Sequence, residues 1–330
     1  MTETEEDLEV DTLPGVGPAT KQKLKDAGIE TIYDLATAGP MDIAEAVDID
    51  VTKAVDLNNK ARKKLVEMHK LEPDFINAAD LLVKRKAIDR ISTGSKNLDD
   101  LLGGGIETWA MTEFYGEFGS GKSQICHTLC VMVQQQKGEG GLDAGAVYID
   151  TEGTFRPERI QEIAESREMD AEKILSHITV ARAYNSAHQE LIVKDLGRII
   201  EPNKIKLVIL DSAVAHYRAE FLGRGTLAER QQRLNRFMHQ LLRTAEIYNI
   251  AVVVTNQVQA APDSFFGDPT RPTGGHVVAH TSTYRIYLRK AAKNRIARMV
   301  DSPYHPERDT VFVLNERGID DPTEESTRKK

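Results

Sequence analysis

The chain has 330 residues, 40% of them hydrophobic and 28% charged, with a formal net charge of −8. Those proportions suit a folded protein of about two domains, and no apolar run reaches the roughly 18–20 residues that a membrane helix needs. The two cysteines, Cys126 and Cys130, are too few for a disulfide framework or a metal site of their own, so they read as small buried hydrophobes in a chain suited to a reducing cytosol.

Residues 1–11 carry six acids (Glu3, Glu5, Glu6, Asp7, Glu9, Asp11) and no base. This is neither a secretory signal nor a transit peptide, and its composition predicts disorder. Residues 12–62 follow as a small helical unit. Ala19, Leu24 and Ala27 fall on a helical stripe that ends at Gly28, and Ile32, Leu35 and Ala36 begin a second short helix. The unit opens on Leu13-Pro14-Gly15-Val16-Gly17-Pro18. Glycines allow a tight turn and a close approach, and the free amides of the next helix face an anion. Gly15 and Gly17 are therefore candidate contacts to a DNA phosphate, with Lys21, Lys23 and Lys25 nearby. The pattern resembles a helix-hairpin-helix DNA-binding module. The alternative is a plain turn between packed helices.

Residues 63–82 are read as a linker. The stretch from 60 to 90 is basic and mostly helical apart from Pro73, and it holds Phe75-Ile76-Asn77-Ala78. From residue 83 onward the chain is read as one α/β domain. Strands are expected at Met111–Tyr115, Ala146–Ile149, Leu207–Leu210, Ala251–Thr255, Thr283–Leu288 and Thr310–Leu314, with helices between most of the early ones. Short apolar runs alternating with helices predict a doubly wound, mostly parallel sheet. The last strands lack intervening helices, so the sheet is expected to finish as an antiparallel meander.

The motifs that carry chemistry lie in this domain. Gly116-Glu117-Phe118-Gly119-Ser120-Gly121-Lys122-Ser123 fits the P-loop pattern and stands between a strand and an apolar helical run, as the motif requires. The loop amides are expected to wrap a phosphate, Lys122 to reach the β- and γ-phosphates, and Ser123 to hold Mg²⁺. Gln124 is counted with the ATP-binding residues. Lys206-Leu207-Val208-Ile209-Leu210-Asp211 is a strand ending in a carboxylate, and Asp211 is the second expected Mg²⁺ partner. Glu152, at the tip of another strand, is the candidate general base; the competing reading of Asp150-Thr151-Glu152 as a helix cap is preferred for Asp150. Gln257, in Thr255-Asn256-Gln257, is the candidate γ-phosphate sensor, catalytic together with Glu152 and Lys122.

Two segments are read as nucleic-acid loops. Residues 258–275 are rich in glycine and proline and carry Phe265, Phe266 and Arg271; such loops are usually functional or disordered. Residues 215–230 interleave Tyr217 with Arg218, Arg224 and Arg230, a mixture suited to phosphate contacts and base stacking. The net charge alone argues against nucleic acid, but residues 284–298 carry six bases and no acid, and distribution outweighs the sum.

These motifs resemble the archaeal RadA branch of the RecA-type recombinases over about residues 11–321. The resemblance rests on Gly15-Val16-Gly17-Pro18-Ala19-Thr20, the P-loop, Asp150-Thr151-Glu152-Gly153-Thr154-Phe155-Arg156-Pro157-Glu158-Arg159, Tyr217-Arg218, Thr255-Asn256-Gln257-Val258 and Gly274-Gly275-His276 through Arg289-Lys290. It implies a helix-hairpin-helix domain ahead of a RecA-type ATPase core. It also implies that Phe75 and Ala78 dock on a neighbouring subunit and that ATP lies between subunits. Arg159 would stack on adenine, and Asp301 and Pro306 would cap the nucleotide from the next protomer. His280 and Gln257 would couple the γ-phosphate to the DNA loops, with His280 at the subunit interface. The implied activity is ATP- and Mg²⁺-dependent strand exchange on single-stranded DNA and homologous duplex, by a cytoplasmic, nucleoid-associated protein that assembles with itself as a filament or ring, with no membrane partner. The second DNA loop, with Phe265, Phe266, Asp268 and Arg271, departs most from the family pattern. The rival readings are a hexameric helicase or translocase, and a non-catalytic paralogue that mediates recombination.

Overall fold

The computed structural model describes residues 8–68, 70–71, 73, 75–223, 225–260 and 270–323, with the backbone alone at Ala260, Thr270 and Arg271. The chain divides into two compact units, one running to Ala87 with Val193–Ile199, the other comprising Ile88–Ile192 and the chain from Ile200.

The first unit holds α1 (Pro18–Asp26), α2 (Ile32–Thr37), α3 (Pro40–Val47), α4 (Val51–Glu67) and α5 (Ala78–Lys86). Ala54, Leu57, Ala61 and Leu65 form one buried stripe along α4, spaced as a helix face requires. Caps fix the helix starts: Thr31 and Asp34 make a capping box at α2, and the Asp50 side chain accepts the Thr52 amide at α4. Leu8 and Val10 are buried and Val10–Thr12 is a 3₁₀ turn. The disorder expected for residues 1–11 does not hold for residues 8–11, and residues 1–7 lie outside the described residues: two apolar side chains among the acids pack inward, while Lys21 pairs with Glu9 (2.5 Å) and Asp11 (2.7 Å). No residue of α5 is buried, and Phe75 just before it is 94% exposed.

The second unit contains β1 (Arg90–Ile91), α6 (Lys96–Leu101), β2 (Ile106–Glu107), β3 (Ala110–Gly116), α7 (Lys122–Met132), β4 (Gly145–Asp150), α8 (Pro157–Ser166), α9 (Ala171–Ser176) and β5 (Ile178–Arg182). α10 (Ser186–Lys194) and α11 (Gly197–Ile200) follow and take in the stretch Val193–Ile199 of the first unit; the second unit then continues with β6 (Ile205–Asp211), α12 (Ala215–Glu220), α13 (Leu227–Tyr248), β7 (Ala251–Ala260), β8 (Thr270–Pro272), α14 (His276–Thr281), β9 (Tyr284–Ala291), β10 (Asn294–Asp301), β11 (Asp309–Asn315) and β12 (Gly318–Asp320). The main sheet runs β12-β11-β10-β9-β3-β7-β6-β4-β5, with β8 paired to β7. From β5 to β9 the pairings are parallel; from β9 to β12 they are antiparallel. The expected doubly wound sheet with a closing meander is what forms. Among the described residues no helix is long and apolar enough to cross a membrane.

All six expected strands are present and each is longer than expected, although β9 begins at Tyr284 and leaves out Thr283. Four strands of the main sheet escaped the hydrophobic pattern. β5 is an edge strand without a fully buried residue, β8 (Thr270–Pro272) falls in the stretch read as a loop, β10 starts inside the basic run 284–298, and β12 has three residues. In β10 only Ala297 and Met299 are buried.

Candidate nucleotide and DNA site

β3, β4, β6 and β7 deliver their carboxyl ends to one edge of the sheet, where open α/β sheets bind ligands. β7 lies between β3 and β6, so the P-loop and Asp211 come from strands separated by a single strand. β3 is buried throughout and turns at Gly116 into the loop ahead of α7. A Cβ on Gly116 would stand 2.1 Å from the Leu288 carbonyl oxygen of β9; the neighbouring strand, not only a phosphate, requires glycine there. Gly119 and Gly121 have φ of +71° and +109°, a region open to glycine without steric cost. The Ser120 hydroxyl is enclosed and has no hydrogen-bond partner among the described residues, while Phe118 is 96% exposed. Lys122 Nζ donates to the Gly116 and Glu117 carbonyls at 2.8 and 3.0 Å. Burial lowers the Lys122 pKa, opposed by the charges of Asp211 and Glu152. An ammonium held on loop carbonyls, an unpartnered hydroxyl and glycines at positive φ fit a polyphosphate.

Asp211 is the hub. Its Oδ2 accepts from Ser123 Oγ and Tyr148 Oη, both at 2.7 Å, and from Thr154 Oγ1 at 3.4 Å. Its Oδ1 accepts from Thr255 Oγ1. Ser123 and Asp211 thus already touch, the hydroxyl-carboxylate pair that holds Mg²⁺ beside phosphates in P-loop proteins. Glu152 accepts from Ser212 Oγ at 2.8 Å and from Gln257 Nε2 at 3.1 Å. The structure therefore brings Lys122, Ser123, Asp211, Glu152 and Gln257 to one sheet edge. Asp150 caps the intervening turn, accepting the amides of Glu152, Gly153, Thr154 and Phe155 and pairing with Arg182 at 3.0 Å.

Several members of this site were not foreseen. His127 accepts the Arg156 amide on Nε2 (3.2 Å), so the proton sits on Nδ1 and is donated to the Ser123 carbonyl at 2.7 Å. Burial pushes the His127 pKa down, in keeping with a neutral ring. Tyr148 and Phe155 pack against His127 with centroids 5.5 Å away. The signals in the sequence were faint: a histidine within a helix buried from Ile125 to Met132, and a tyrosine two residues before Asp150.

The remaining candidates are scattered. Arg159 is bonded to Gln124 Oε1 (2.9 Å), to Glu162 and to the Asn315 carbonyl. Asp301 ends β10. Pro306 lies in the connection to β11, where Ser302 Oγ contacts His305 Nδ1 at 3.1 Å and the Tyr304 and His305 rings stack at 4.0 Å. His280 is exposed on α14 and stacks on His276 at 5.7 Å. Gly15 has φ +100° and Gly17 caps α1. Of the lysines near them, Lys21 is taken up by its acidic partners and Lys23 bonds the Val47 carbonyl at 3.2 Å.

Two expectations are corrected. The segment 215–230 is not one flexible loop: α12 and the start of α13 occupy most of it. Arg218 is exposed on α12 and Arg230 lies on α13. Tyr217 cannot stack on a base, because it is fully buried and donates to Glu190 at 2.8 Å. The run 284–298 is not an open basic face either. Arg285 is an internal residue paired with Glu113 at 2.7 Å, and Arg298 pairs with Asp309 at 2.7 Å; Arg289 and Lys290, adjacent in β9, fall on opposite faces of the strand. Arg224, Phe265 and Phe266 lie outside the described residues, as does the side chain of Arg271.

A cavity of about 400 Å³ is lined by Glu152, Ser212, Arg218, Gln257 and Thr273 among others. A family model for Rad51 matches residues 84–322, and one for the SAM-like helix-hairpin-helix tandem matches residues 7–63. The DNA repair and recombination protein RadA of Cenarchaeum symbiosum (strain A) is 52% identical over 325 residues, 98% of this chain and 81% of that protein. With a P-loop, its carboxylate partner and a RecA-type parallel sheet in place, the chain belongs to the Rad51 family, in the RecA/RadA group of recombinases.

Proposed function

We propose that the chain is an ATP-dependent recombinase that assembles on single-stranded DNA and pairs it with a homologous duplex. The observation that carries this is the continuity of the site: Gln257 reaches Glu152 at 3.1 Å, and in the chain Gln257 directly precedes the segment 258–275. The residue read as sensing the γ-phosphate thus adjoins the segment read as contacting DNA.

In this reading the amides of 116–121 and Lys122 hold the triphosphate, with Gln124 and Arg159 beside them. Ser123 and Asp211 hold Mg²⁺, which supplies neutralisation of phosphate charge when bound. Glu152, kept in place by Ser212 and Gln257, takes the proton of the attacking water. Asp301, Pro306 and His280 act across a subunit boundary, and Phe75 with Ala78 docks on the neighbour; an exposed phenylalanine is a fitting anchor. Arg218, Arg224, Arg230, Phe265, Phe266 and Arg271 contact the strand in the core, and Gly15 and Gly17 contact DNA in the helical unit. Sequence is read by base pairing, so binding is sequence-tolerant and falls with salt.

Electron microscopy with single-stranded DNA and a non-hydrolysable ATP analogue tests the proposal. Filaments should form with the parent, and Lys122→Ala should lose both ATP hydrolysis and strand exchange. A parent that stays monomeric with nucleotide, magnesium and DNA present would sink the reading. Directional unwinding without strand exchange would favour the helicase.

A further inference from the structure

The last hairpin of the sheet reaches α7, the helix that follows the P-loop. β11 and β12 pair with Asn315 opposite Gly318, so residues 315–318 make a tight turn. The Asn315 side-chain oxygen accepts the Arg317 amide at 2.9 Å and fixes that turn. Gly318 has φ +90°, and a Cβ there would stand 2.2 Å from Thr128 Oγ1. Glycine therefore lets the hairpin close onto α7. The contact is enclosed, since Thr128 and Ile319 are both fully buried. Thr128 Oγ1 accepts the Ile319 amide at 3.2 Å and donates to the Gln124 carbonyl, one turn back along α7, at 2.8 Å. One hydroxyl thus joins the hairpin to the residue directly after Ser123.

The same turn holds Arg159. Its Nη2 donates to the Asn315 carbonyl, its Nη1 to the Glu316 carbonyl at 3.4 Å, and its Nε to Gln124 Oε1 at 2.9 Å. Nη1 also pairs with Glu162, one turn along α8. A guanidinium is a planar fork whose orientation follows its acceptors, and two of these four acceptors are main-chain carbonyls of the turn. A second arginine fastens the hairpin to the end of α8: Arg167 donates to the Arg317 and Ile319 carbonyls at 2.8 and 2.9 Å. The plane of Arg159 is therefore set by a turn 156 positions further along the chain.

We infer that Thr128 and Asn315 are positioning residues for the base side of the nucleotide, acting through the hairpin on Gln124 and Arg159. The inference rests on the reading of Arg159 as stacking on adenine. Neither Thr128 nor Asn315 touches nucleotide in this scheme. No bond of the network reaches the amides of 116–121 or Lys122, which hold the triphosphate in that reading, so base and phosphates are gripped by separable parts of the chain.

The test uses the full chain with magnesium and two probes: a non-hydrolysable ATP analogue, and inorganic tripolyphosphate, which keeps the phosphates and lacks the base. Affinities are read by calorimetric titration. Thr128→Val keeps the volume and removes the hydroxyl. It should weaken the ATP analogue by roughly 3- to 10-fold and leave tripolyphosphate within about twofold of the parent; Thr128→Ser should bind both as the parent does. Asn315→Ala removes the oxygen that fixes the turn at a half-buried position. It should give the same pattern as Thr128→Val, and it decides alone if Thr128→Val does not fold. Equal weakening of both probes makes the hairpin merely structural and overturns the inference. Parental affinity for the ATP analogue in both variants overturns it as well. A parent that binds tripolyphosphate as tightly as the ATP analogue overturns the underlying reading of Arg159, a failure told apart because it needs no variant. Hydrogen exchange on the parent gives a second readout. The ATP analogue should raise protection of amides 316–319 and tripolyphosphate should not; equal effects of the two probes refute the inference.

Discussion

The ion pair between Glu113 and Arg285 lends itself to a quantitative test. Glu113 is fully buried in the middle strand of an otherwise apolar run, and the Arg285 side chain is 11% exposed. Arg285 Nη2 is enclosed without a hydrogen-bond partner among the described residues, so the guanidinium relies on one carboxylate and the Tyr115 ring. Glu113→Gln keeps the shape and an acceptor for Asn256 but leaves a buried positive charge uncompensated. Breaking such a pair costs about 3–5 kcal/mol, and the ring beneath Arg285 offsets part of this, so about 3 kcal/mol is expected. At about 2–4 °C per kcal/mol for a domain of this size, the core should melt roughly 6–12 °C lower. Glu113→Gln with Arg285→Met removes both charges and should recover to within about 1 kcal/mol of the parent. Calorimetry of the nucleotide-free protein at about 0.1 and 0.5 M salt is the assay, because an enclosed pair is little affected by screening. A single variant melting within about 2 °C of the parent, or a double variant no more stable than the single, would show that the pair does not hold the sheet as argued.

Two further outcomes are expected. Glu152→Gln should lower kcat for ATP hydrolysis by about 10²–10⁴-fold with nucleotide affinity nearly unchanged; a loss below about tenfold in single-turnover measurements would remove Glu152 from the general-base role. Phe75→Ala should shorten assemblies in light scattering while the far-ultraviolet circular dichroism stays parental, because a side chain 94% exposed gives up no core packing in the single chain; assemblies of undiminished length would remove Phe75 from the interface.

Where ligand chemistry depends on local spacing, the site was legible from residue order. The P-loop was one such case, since glycines at fixed offsets and a following helix suffice to build an anion cradle. Asp211 was found because it ends a strand and Glu152 because it follows the end of one by two residues, and strand ends in a parallel sheet share one edge. The basic segments were misread for the opposite reason. Charge in a sequence has no direction, and only the pairing of β9 with β3 shows that Arg285 stands against Glu113 inside the sheet while Arg289 and Lys290 are exposed. Tyr217 was misplaced in the same way: next to an exposed arginine, it turns the other side of α12 into the core.

The order of residues alone thus determined that this is a P-loop chain of the RecA/RadA family and which strands stand at the centre of its sheet, and it marked the candidate residues near their ends. Periodicity and motif spacing are local properties, and the chain keeps them whatever its final packing. The tertiary structure decided the rest: that Asp211 gathers Ser123, Tyr148, Thr154 and Thr255, that His127 is a neutral ring bridging Ser123 and Arg156, and that Asn256 joins Glu113, Gln257 and Thr273. Those bonds link residues between one and 143 positions apart. A hydrogen bond needs two groups within about 3 Å, a proximity that for the distant pairs is set by the order of strands in the sheet.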